Sequence, residues 1–334
     1  MVEIRLARPA DRPGLVALYQ ARTPTWALSL AREPVDGAEL LEALLPGTRR
    51  HVALGPDGTT IIGTSAVSIA PTQFNGALVV GAYRWGSHVH PAYRGRGIGR
   101  ALATRSWDDA RAAGAEIGWG IAERSNEASA RTFRHLGFRV DRTIQGKLIL
   151  PAWPVARRHG RAHRAAAPAD FPALADALNR YYAGHHLWWP LSAERLSNEA
   201  DALGTPDANL LLNVSADGTP VAAAAVAVLG HALRVRRASR PTSWTFTDRL
   251  LGPPVSVQLL RYAMLPDGSV EAGAALLRQL QRRHLHRAFV LAANLDRLDP
   301  VWPVCARLPG PTLILDLWLN SPEPLASDRP CWIS

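Results

Sequence analysis

The 334-residue sequence has a single lysine, Lys147, although lysine and arginine together number 38. Its positive charge is therefore almost entirely arginine, and the formal net charge is +10. The arginines lie in short clusters along the whole chain and do not form one long stripe. This distribution indicates a solvated arginine-rich surface or attraction of a polyanionic ligand, and it does not favour nucleic acid as the partner.

Cysteine is almost as scarce, with Cys305 and Cys331 alone and neither in a Cys-x-x-Cys pair. A chain of this size needs no disulfide to stabilise it. His185 and His186 are adjacent, a spacing that does not place two ligands on one helical face. We therefore expect no metal site.

Long hydrophobic runs are also lacking, since no stretch approaches the ~20 apolar residues that span a bilayer. The first residues are charged and contain no apolar segment typical of a secretory signal. These features predict no membrane partner and a cytoplasmic location. The hydrophobic content of 47% is nevertheless sufficient for two cores, as expected at roughly 100–200 residues per domain.

The sequence contains two similar halves. The segment from Arg5 to Leu15 resembles the segment from Arg164 to Leu174, with Arg, Pro-Ala-Asp, Pro and Leu at matching places. Asp-Gly-Thr also recurs, at residues 57–59 and 217–219, each time between two apolar runs that predict a β-hairpin. Two matches at nearly the same offset indicate a duplication.

In each half, a strand precedes Pro-Ala-Asp and a helix follows it, with Asp11 or Asp170 near the N-cap. The later pattern of strands and helices predicts a mixed α/β fold in both halves. We expect a first domain over residues 1–150, a linker over 151–163, rich in proline and arginine, and a second domain over 164–334.

The most informative segment is a glycine-rich turn between a strand and a helix. The strand ends at Val89, the turn covers residues 94–99, and the helix runs from Ala101 towards Gly114. Glycines allow backbone N–H groups to surround phosphate oxygens, and the start of a helix attracts anions. Neither Gly-x-Gly-x-x-Gly nor the Walker A sequence is present.

This segment resembles the pyrophosphate motif of the GNAT superfamily of acyl-CoA-dependent N-acyltransferases, Arg94-x-x-Gly97-x-Gly99, with Val89-His90-Pro91 before it. A second motif agrees, because Asn126 is followed by Phe133 and by Gly137-Phe138. The resemblance covers most of residues 1–150. It implies acetyl-CoA as co-substrate, held by Val89, His90, Arg94, Gly95, Arg96, Gly97, Ile98, Gly99, Arg100, Asn126 and Phe133.

The resemblance also implies direct attack of an amine on the thioester. An alkyl amine with a pKa of ~10.4 is mostly protonated at neutral pH, so a general base is needed. Two candidates follow from position: Glu123, just after the next strand, and His88, beside Val89. Glu123 is equally consistent with a solvated loop carboxylate. Because alternate residues of a strand face opposite sides, His88 is expected to face away from Val89.

Phe133 is a departure from the family, which commonly has tyrosine there as general acid for the departing thiolate. A thiol pKa of ~8.5 makes this loss a modest one. Water or a hydroxyl such as that of Ser129 could substitute for it. The departure leaves open a weak enzyme, an atypical acyl donor or a non-catalytic acyl-CoA sensor.

The second half lacks the motif. Met264-Leu265-Pro266 corresponds to Val89-His90-Pro91, but no Arg-x-x-Gly-x-Gly follows, and Glu271 places a negative charge near the expected phosphate position. Asn294 is a possible counterpart of Asn126. We interpret this half as a degenerate copy that does not bind coenzyme A, a paired layout similar to that of mycothiol synthases.

Aromatic residues at 181, 182, 188 and 189 indicate either packing between the halves, which we favour, or a substrate wall. The acceptor site is expected in variable loops at residues 23–37 and 70–80. The sequence favours an N-acetyltransferase that modifies a primary amine of a small molecule. The alternatives are a non-catalytic acyl-CoA sensor and an acyltransferase for a protein or RNA-linked amine; a homodimer is possible.

Overall fold

The computed structural model describes residues 2–21, 30–34, 45–149, 164–202, 210–228, 233–237, 255–265, 270–282, 289–310 and 312–332. The expected linker at 151–163 and the expected acceptor loop at 23–37, apart from residues 30–34, lie outside the described residues. Residues 30–34 form a strand rather than a loop.

Strands and helices alternate through the first half in the predicted α/β pattern. Its elements, in chain order, are β1 (Ile4–Leu6), α1 (Arg12–Gln20), β2 (Leu30–Pro34), β3 (Thr48–Leu54), β4 (Ile61–Phe74), β5 (Ala77–Val89), α2 (Ile98–Ala112), β6 (Ile117–Glu123), α3 (Glu127–His135) and β7 (Arg139–Ile149).

The second half has a similar order, but a second helix stands before its hairpin where the first half has β2, and an additional strand follows the hairpin. Its elements are β8 (Arg164–Ala165), α4 (Phe171–Tyr182), α5 (Ala193–Ala202), β9 (Leu210–Val214), β10 (Pro220–Val228), β11 (Leu233–Arg237), β12 (Val255–Met264), α6 (Val270–Arg282), β13 (Phe289–Leu295), α7 (Trp302–Ala306) and β14 (Thr312–Asn320). The antiparallel pairs β3–β4 and β9–β10 are the two hairpins predicted from Asp-Gly-Thr.

The strands of both halves form one mixed sheet within the described part of the chain. Its order is β1-β3-β4-β5-β6-β14-β7-β13-β12-β10-β9-β8, and β11 joins β12 to β2. Strand β14, from the second half, lies between β6 and β7 of the first, and β7 pairs in turn with β13. Each half therefore contributes one strand to the middle of the sheet, and the mixed α/β fold is confirmed.

Helices cover both faces of this sheet. On the face that we call the α1 face, Leu15 and Leu18 of α1 pack on Val52 and Leu54, and α4 and α5 pack on the second half. On the opposite face, the α2 face, Leu102 packs with Ala53. Helices α3, α6 and α7 also contribute to the clusters of that face. Successive residues of β3 therefore pack on opposite faces of the sheet, as strand geometry requires.

The Pro-Ala-Asp turn has the same geometry in both halves. Arg5 donates two hydrogen bonds to the Asp11 carboxylate at 2.6 and 2.8 Å, and Arg164 donates two to Asp170 at 2.6 Å each. Each aspartate also accepts a backbone N–H from three residues earlier. Asp11 and Asp170 are the N-cap residues of α1 and α4, as predicted. Neither side chain caps its helix, because both carboxylates bond backwards to the N–H before the short 3-10 turn.

The aromatic segment of the second half packs against the first half. Trp188 and Trp189 are each 1% exposed, and the Trp189 indole N–H donates to Thr72 Oγ1 at 3.1 Å. Trp189 also lies 5.8 Å from the ring of Trp119. Trp188 and Trp189 therefore pack between the halves, as favoured from the sequence, whereas Tyr181 and Tyr182 pack on residues of the second half. In the described part of the chain, no helix combines the length and apolar character needed to cross a bilayer.

Residues 70–80 are not a loop at the acceptor site. They form the closed end of the β4–β5 hairpin, with Asn75 and Gly76 at positive φ in its two-residue turn. The Asn75 N–H donates to His186 Nδ1, and the Gln73 N–H donates to the Trp188 carbonyl. Ala70, Phe74 and Val79 of this segment are therefore strand residues that belong to the same hydrophobic cluster as the aromatic segment of the second half.

Candidate active site

The sheet opens between β5 and β6. These parallel strands pair only from Gly81–Tyr83 to Ile117–Trp119, although β5 continues to Val89 and β6 to Glu123. A β-bulge at Gly86 and Ser87, with Gly86 at a φ of 61°, bends β5 at this point. A bulge locally re-aims a strand, and the resulting gap between the two strand ends is called the splay below.

The predicted glycine turn lies at the open end of β5. Gly95 and Gly97 both have a φ of 77°, in the left-handed region that favours glycine. A Cβ at either position would meet no atom within 4 Å, so open space lies in front of the turn. Helix α2 begins at Ile98, three residues earlier than expected, and its first-turn N–H groups have no partner inside the helix. The turn and helix start can bind a phosphate group.

Three exposed arginines surround this turn, namely Arg94, Arg96 and Arg100. Arg94 Nε donates to the Val89 carbonyl oxygen at 3.2 Å, and Arg96 lies 5.2 Å from the centre of the Tyr93 ring. His90 caps the 3-10 turn Pro91–Tyr93, because its Nδ1 accepts the Ala92 N–H at 3.2 Å. The structure thus brings the sequence-predicted cofactor residues 89–100 together around one open surface.

Asn126 and Phe133 lie on α3, which flanks the other side of the splay. Asn126 Oδ1 accepts the Ser129 N–H at 3.1 Å and caps the helix. Phe133 is 3% exposed and stacks on Trp318 of β14 at 5.3 Å. Its para carbon would lie 2.6 Å from a Cβ on Gly120, so the ring lies directly on the backbone of β6.

Both candidate bases face the α1 side of the sheet. The His88 ring stacks on Tyr19 of α1 at 5.9 Å, whereas Val89 packs with Ile98 and Leu102 on the α2 face. Glu123 alternates with Gly120 and Ala122, so it shares the α1 face with Ile121. It is half-buried and accepts the Ser125 hydroxyl at 2.9 Å. His88 therefore lies at the end of β5 and Glu123 at the end of β6, on either side of the splay, and both lie on the side of the sheet opposite the glycine turn.

Arg84, which no sequence pattern singled out, is a buried arginine on the α2 face of the splay. It is 7% exposed, and its guanidinium lies 5.2 Å from the centre of the Phe133 ring. Nη2 donates to Ser87 Oγ at 3.0 Å, while Nε is buried without a hydrogen-bond partner among the described residues. Burial lowers the pKa of Arg84 to about 10. Alternating aromatic residues on both sides of it were the only signal in the sequence.

Strands β12 and β13 of the second half also separate beyond a short pairing, and residues 266–269, which follow this end of β12, lie outside the described part of the chain. Strands β12 and β13 pair only from Ser256–Leu259 to Phe289–Ala292. Beyond them lies a small cavity that Asn294 and Asp299 help to line. Asn294 is inside β13 rather than at a helix cap, so its expected equivalence to Asn126 is wrong. Glu271 lies in the first turn of α6.

Burial changes the charges beside this second cavity. It raises the pKa of Asp299 to about 7 and lowers the pKa of His185 to about 4. The two side chains lie 3.8 Å apart, and both His185 ring nitrogens are buried without hydrogen-bond partners in the described part of the chain. The pair is therefore mostly neutral at slightly acid pH, and it is not a strong ion pair.

Residues 15–138 match the family model described as the acetyltransferase (GNAT) family. The chain carries a GNAT acetyltransferase domain. The match contains the glycine turn, the splay and both candidate bases. This is a family of enzymes, and the resemblance seen in the two sequence motifs is confirmed.

A curated relative is the L-methionine sulfoximine/L-methionine sulfone acetyltransferase of Salmonella typhimurium strain LT2. It is 43% identical over 53 residues, which make up 16% of this chain and 31% of the relative. The chain thus matches about a third of that protein's length.

Two solved structures resemble nearly the whole fold. N-myristoyltransferase of Saccharomyces cerevisiae with bound myristoyl-CoA is similar over 98% of this chain and 86% of its own, with a TM-score of 0.70 and 9% identity. A GCN5-related N-acetyltransferase of Sphaerobacter thermophilus is similar over 97% of both chains, with a TM-score of 0.60 and 15% identity. The arrangement of both halves in one sheet is therefore compatible with folds already seen among N-acyltransferases.

Proposed function

We propose that this chain transfers acetyl from acetyl-CoA to the primary amine of a small molecule, by direct attack in a ternary complex. The observation that carries the proposal is the position of the open glycine turn beside the splay. The turn lies on one side of the sheet, and two possible proton acceptors lie on the other. We further propose that residues 1–150 are the catalytic unit and that the second half is a copy without coenzyme A.

The phosphates would bind the first-turn N–H groups of α2, with the nearby arginines supplying charge. Helix-end effects contribute only ~0.3–1 kcal/mol per charge, whereas micromolar affinity requires ~8 kcal/mol. The pantetheine arm must therefore add contacts between β5 and α3. Because Asn126 Oδ1 already caps α3, its NH₂ group is the part that can donate to a pantetheine carbonyl. Val89 would position the acyl group at the edge of the splay.

The acceptor amine would approach from the α1 face. There His88 lies on one arm of the splay and Glu123 on the other, so either can accept the amine proton directly or through water. The acetyltransferase relative from Salmonella supports a small acceptor, because its name gives methionine sulfoximine and methionine sulfone as substrates. An amino acid derivative with a free amine is the first class to test.

The test is a screen of small amines with acetyl-CoA, in which released thiol and acetylated product are both measured. The screen should include methionine sulfoximine, methionine sulfone, other amino acids, polyamines and amine-bearing antibiotics. The proposal expects a product with equal amounts of free CoA. Tight acetyl-CoA binding with no product for any amine would instead favour a sensor.

The two bases can be separated by isosteric variants. Glu123→Gln and His88→Gln each remove a proton acceptor while keeping a similar shape. We expect kcat to fall by about 10²–10⁴-fold for the variant that removes the base, with acetyl-CoA affinity unchanged. Glu127→Gln is a matched control, because Glu127 is an exposed carboxylate in the first turn of α3. If neither variant changes kcat or its pH profile, the assignment of a base on the α1 face is wrong.

A further inference from the structure

A buried arginine, Arg84, lies beside the gap between β5 and β6. Arg84 is the first residue of β5 after the last pair with β6, Tyr83 to Trp119. Its carbonyl oxygen lies 3.0 Å from the position of a Cβ on Gly120, across the gap. Arg84 therefore lies inside the splay, and not on the solvated surface where most arginines are found.

The guanidinium of Arg84 has fewer hydrogen bonds and charged partners than a buried charge normally requires. Among the described residues it donates one hydrogen bond, from Nη2 to Ser87 Oγ, and it lies over the face of the Phe133 ring. No carboxylate pairs with it in the part of the chain that the structure describes. A buried charge is costly unless it is paired and hydrogen-bonded, so this arrangement fits a site that receives an anion from outside the chain.

The proposed reaction supplies such an anion. The amine nitrogen attacks the thioester carbon and forms a C–N bond, and its proton passes to the base on the α1 face. When the C–S bond breaks, its electron pair remains on sulfur as the thiolate of coenzyme A. An adjacent cation lowers the pKa of a thiol and stabilises its thiolate.

We propose that Arg84 pairs with the thiolate of coenzyme A and so compensates for the absence of a proton-donating side chain at Phe133. This inference rests on the proposed function. Arg84 stabilises the departing sulfur by charge and a hydrogen bond from Nε, and the thiolate takes its proton from solvent after release. The flat face of Phe133 orients the guanidinium, as expected for a cation–π contact.

The test compares CoA with dethio-CoA, which lacks only the sulfur, as ligands of the wild type and of Arg84→Met. In the wild type, we expect the thiol of bound CoA to titrate at least one pH unit below its value in free CoA, with both titrations followed by the ultraviolet absorbance of the thiolate. The affinity for CoA relative to dethio-CoA should then rise with pH between the lowered pKa of the bound thiol and the pKa of the thiol in free CoA, and stay constant outside that range. The pH dependence should disappear in Arg84→Met.

Two further variants control for folding and for general charge. Arg84→Lys keeps the cation and should retain part of the lowered thiol pKa. Arg100→Met removes an exposed arginine near the phosphates and should weaken CoA and dethio-CoA equally. Dethio-CoA affinity within about twofold of the wild type shows that Arg84→Met is folded. In turnover, Arg84→Met should lower kcat by about 10–100-fold and leave the KM for the amine unchanged.

Equal thiol pKa values in bound wild type and Arg84→Met would overturn the role of Arg84 while leaving acetyl-CoA binding intact. A second result would also overturn this role: the wild type prefers an acyl-CoA with a terminal carboxylate over acetyl-CoA, and Arg84→Met loses that preference. The cation would then bind the acyl group rather than the thiolate. If the wild type binds neither CoA nor dethio-CoA, the proposed function itself fails.

Discussion

Trp318→Ala, a change in the second half, should damage the site in the first half. Trp318 belongs to β14, which pairs with β6 and β7, and it is 4% exposed. It stacks on Phe133 at 5.3 Å with 7° between the ring planes. Removing a buried tryptophan side chain costs ~3–5 kcal/mol. An unfolding entropy of ~2.1 cal/mol/K per residue gives about 0.7 kcal/mol/K for 334 residues. Each kcal/mol therefore shifts the melting temperature by about 1.4 °C, and we expect a loss of about 4–7 °C.

The assay is urea and thermal unfolding, together with acetyl-CoA titration. Trp318→Ala should weaken acetyl-CoA binding, because Phe133 loses the ring that holds it on Gly120. Trp302→Ala is the control: Trp302 is half-buried in the second-half cluster of the α2 face, so it should cost less and leave acetyl-CoA affinity unchanged. A loss below about 1 kcal/mol for Trp318→Ala, or separate unfolding transitions for the two halves, would refute the shared-sheet argument.

Two other predictions concern titrating groups. Burial raises the pKa of Asp299 to about 7, so between about pH 4 and 7 the folded state keeps a proton that the unfolded state releases. Stability therefore falls as pH rises through this range. Asp299→Asn should stabilise the protein by up to ~4 kcal/mol at pH 8 and very little at pH 4, as measured by urea unfolding at both pH values. The hydrogen bond from Arg5 lowers the pKa of Asp11, and that from Arg164 lowers the pKa of Asp170. The two Arg–Asp pairs should therefore stabilise the folded state above about pH 4 and lose this effect as pH falls below it. Asp11→Asn and Asp170→Asn should each lower the free energy of unfolding by about 1 kcal/mol at neutral pH. Unequal losses would contradict the equivalence of the two turns.

Local patterns predicted the parts of the site that depend on local geometry. The turn at residues 94–99, the end of α2 before Gly114 and both Asp-Gly hairpins follow from the conformations that glycine permits and from alternating apolar residues. The opposite orientation of His88 and Val89 also follows from strand alternation.

The sequence could not predict features that depend on distant partners. Nothing within β14 indicates that it lies between β6 and β7, because that position is set by pairing across the two halves. Residues 70–80 resemble a loop because of Pro71 and the Asn75-Gly76 pair, yet packing on Trp188 extends the hairpin through them. The burial of Arg84 could not be predicted because arginine is usually exposed. It is buried here because its side chain lies beside the gap between β5 and β6 and against the ring of Phe133.

The central claim is that the turn at Gly97 binds the diphosphate of acetyl-CoA. The direct test is the acetyl-CoA affinity, by calorimetry, of Gly97→Glu and of Gly114→Glu. Both glycines flank α2, with φ values of 77° and 89°, and neither has an atom within 4 Å of its Cβ position. The two variants therefore carry similar backbone strain and the same added charge, at opposite ends of one helix. We predict at least a hundredfold loss of affinity for Gly97→Glu and less than a threefold loss for Gly114→Glu; equal affinities in two folded variants would contradict the claim.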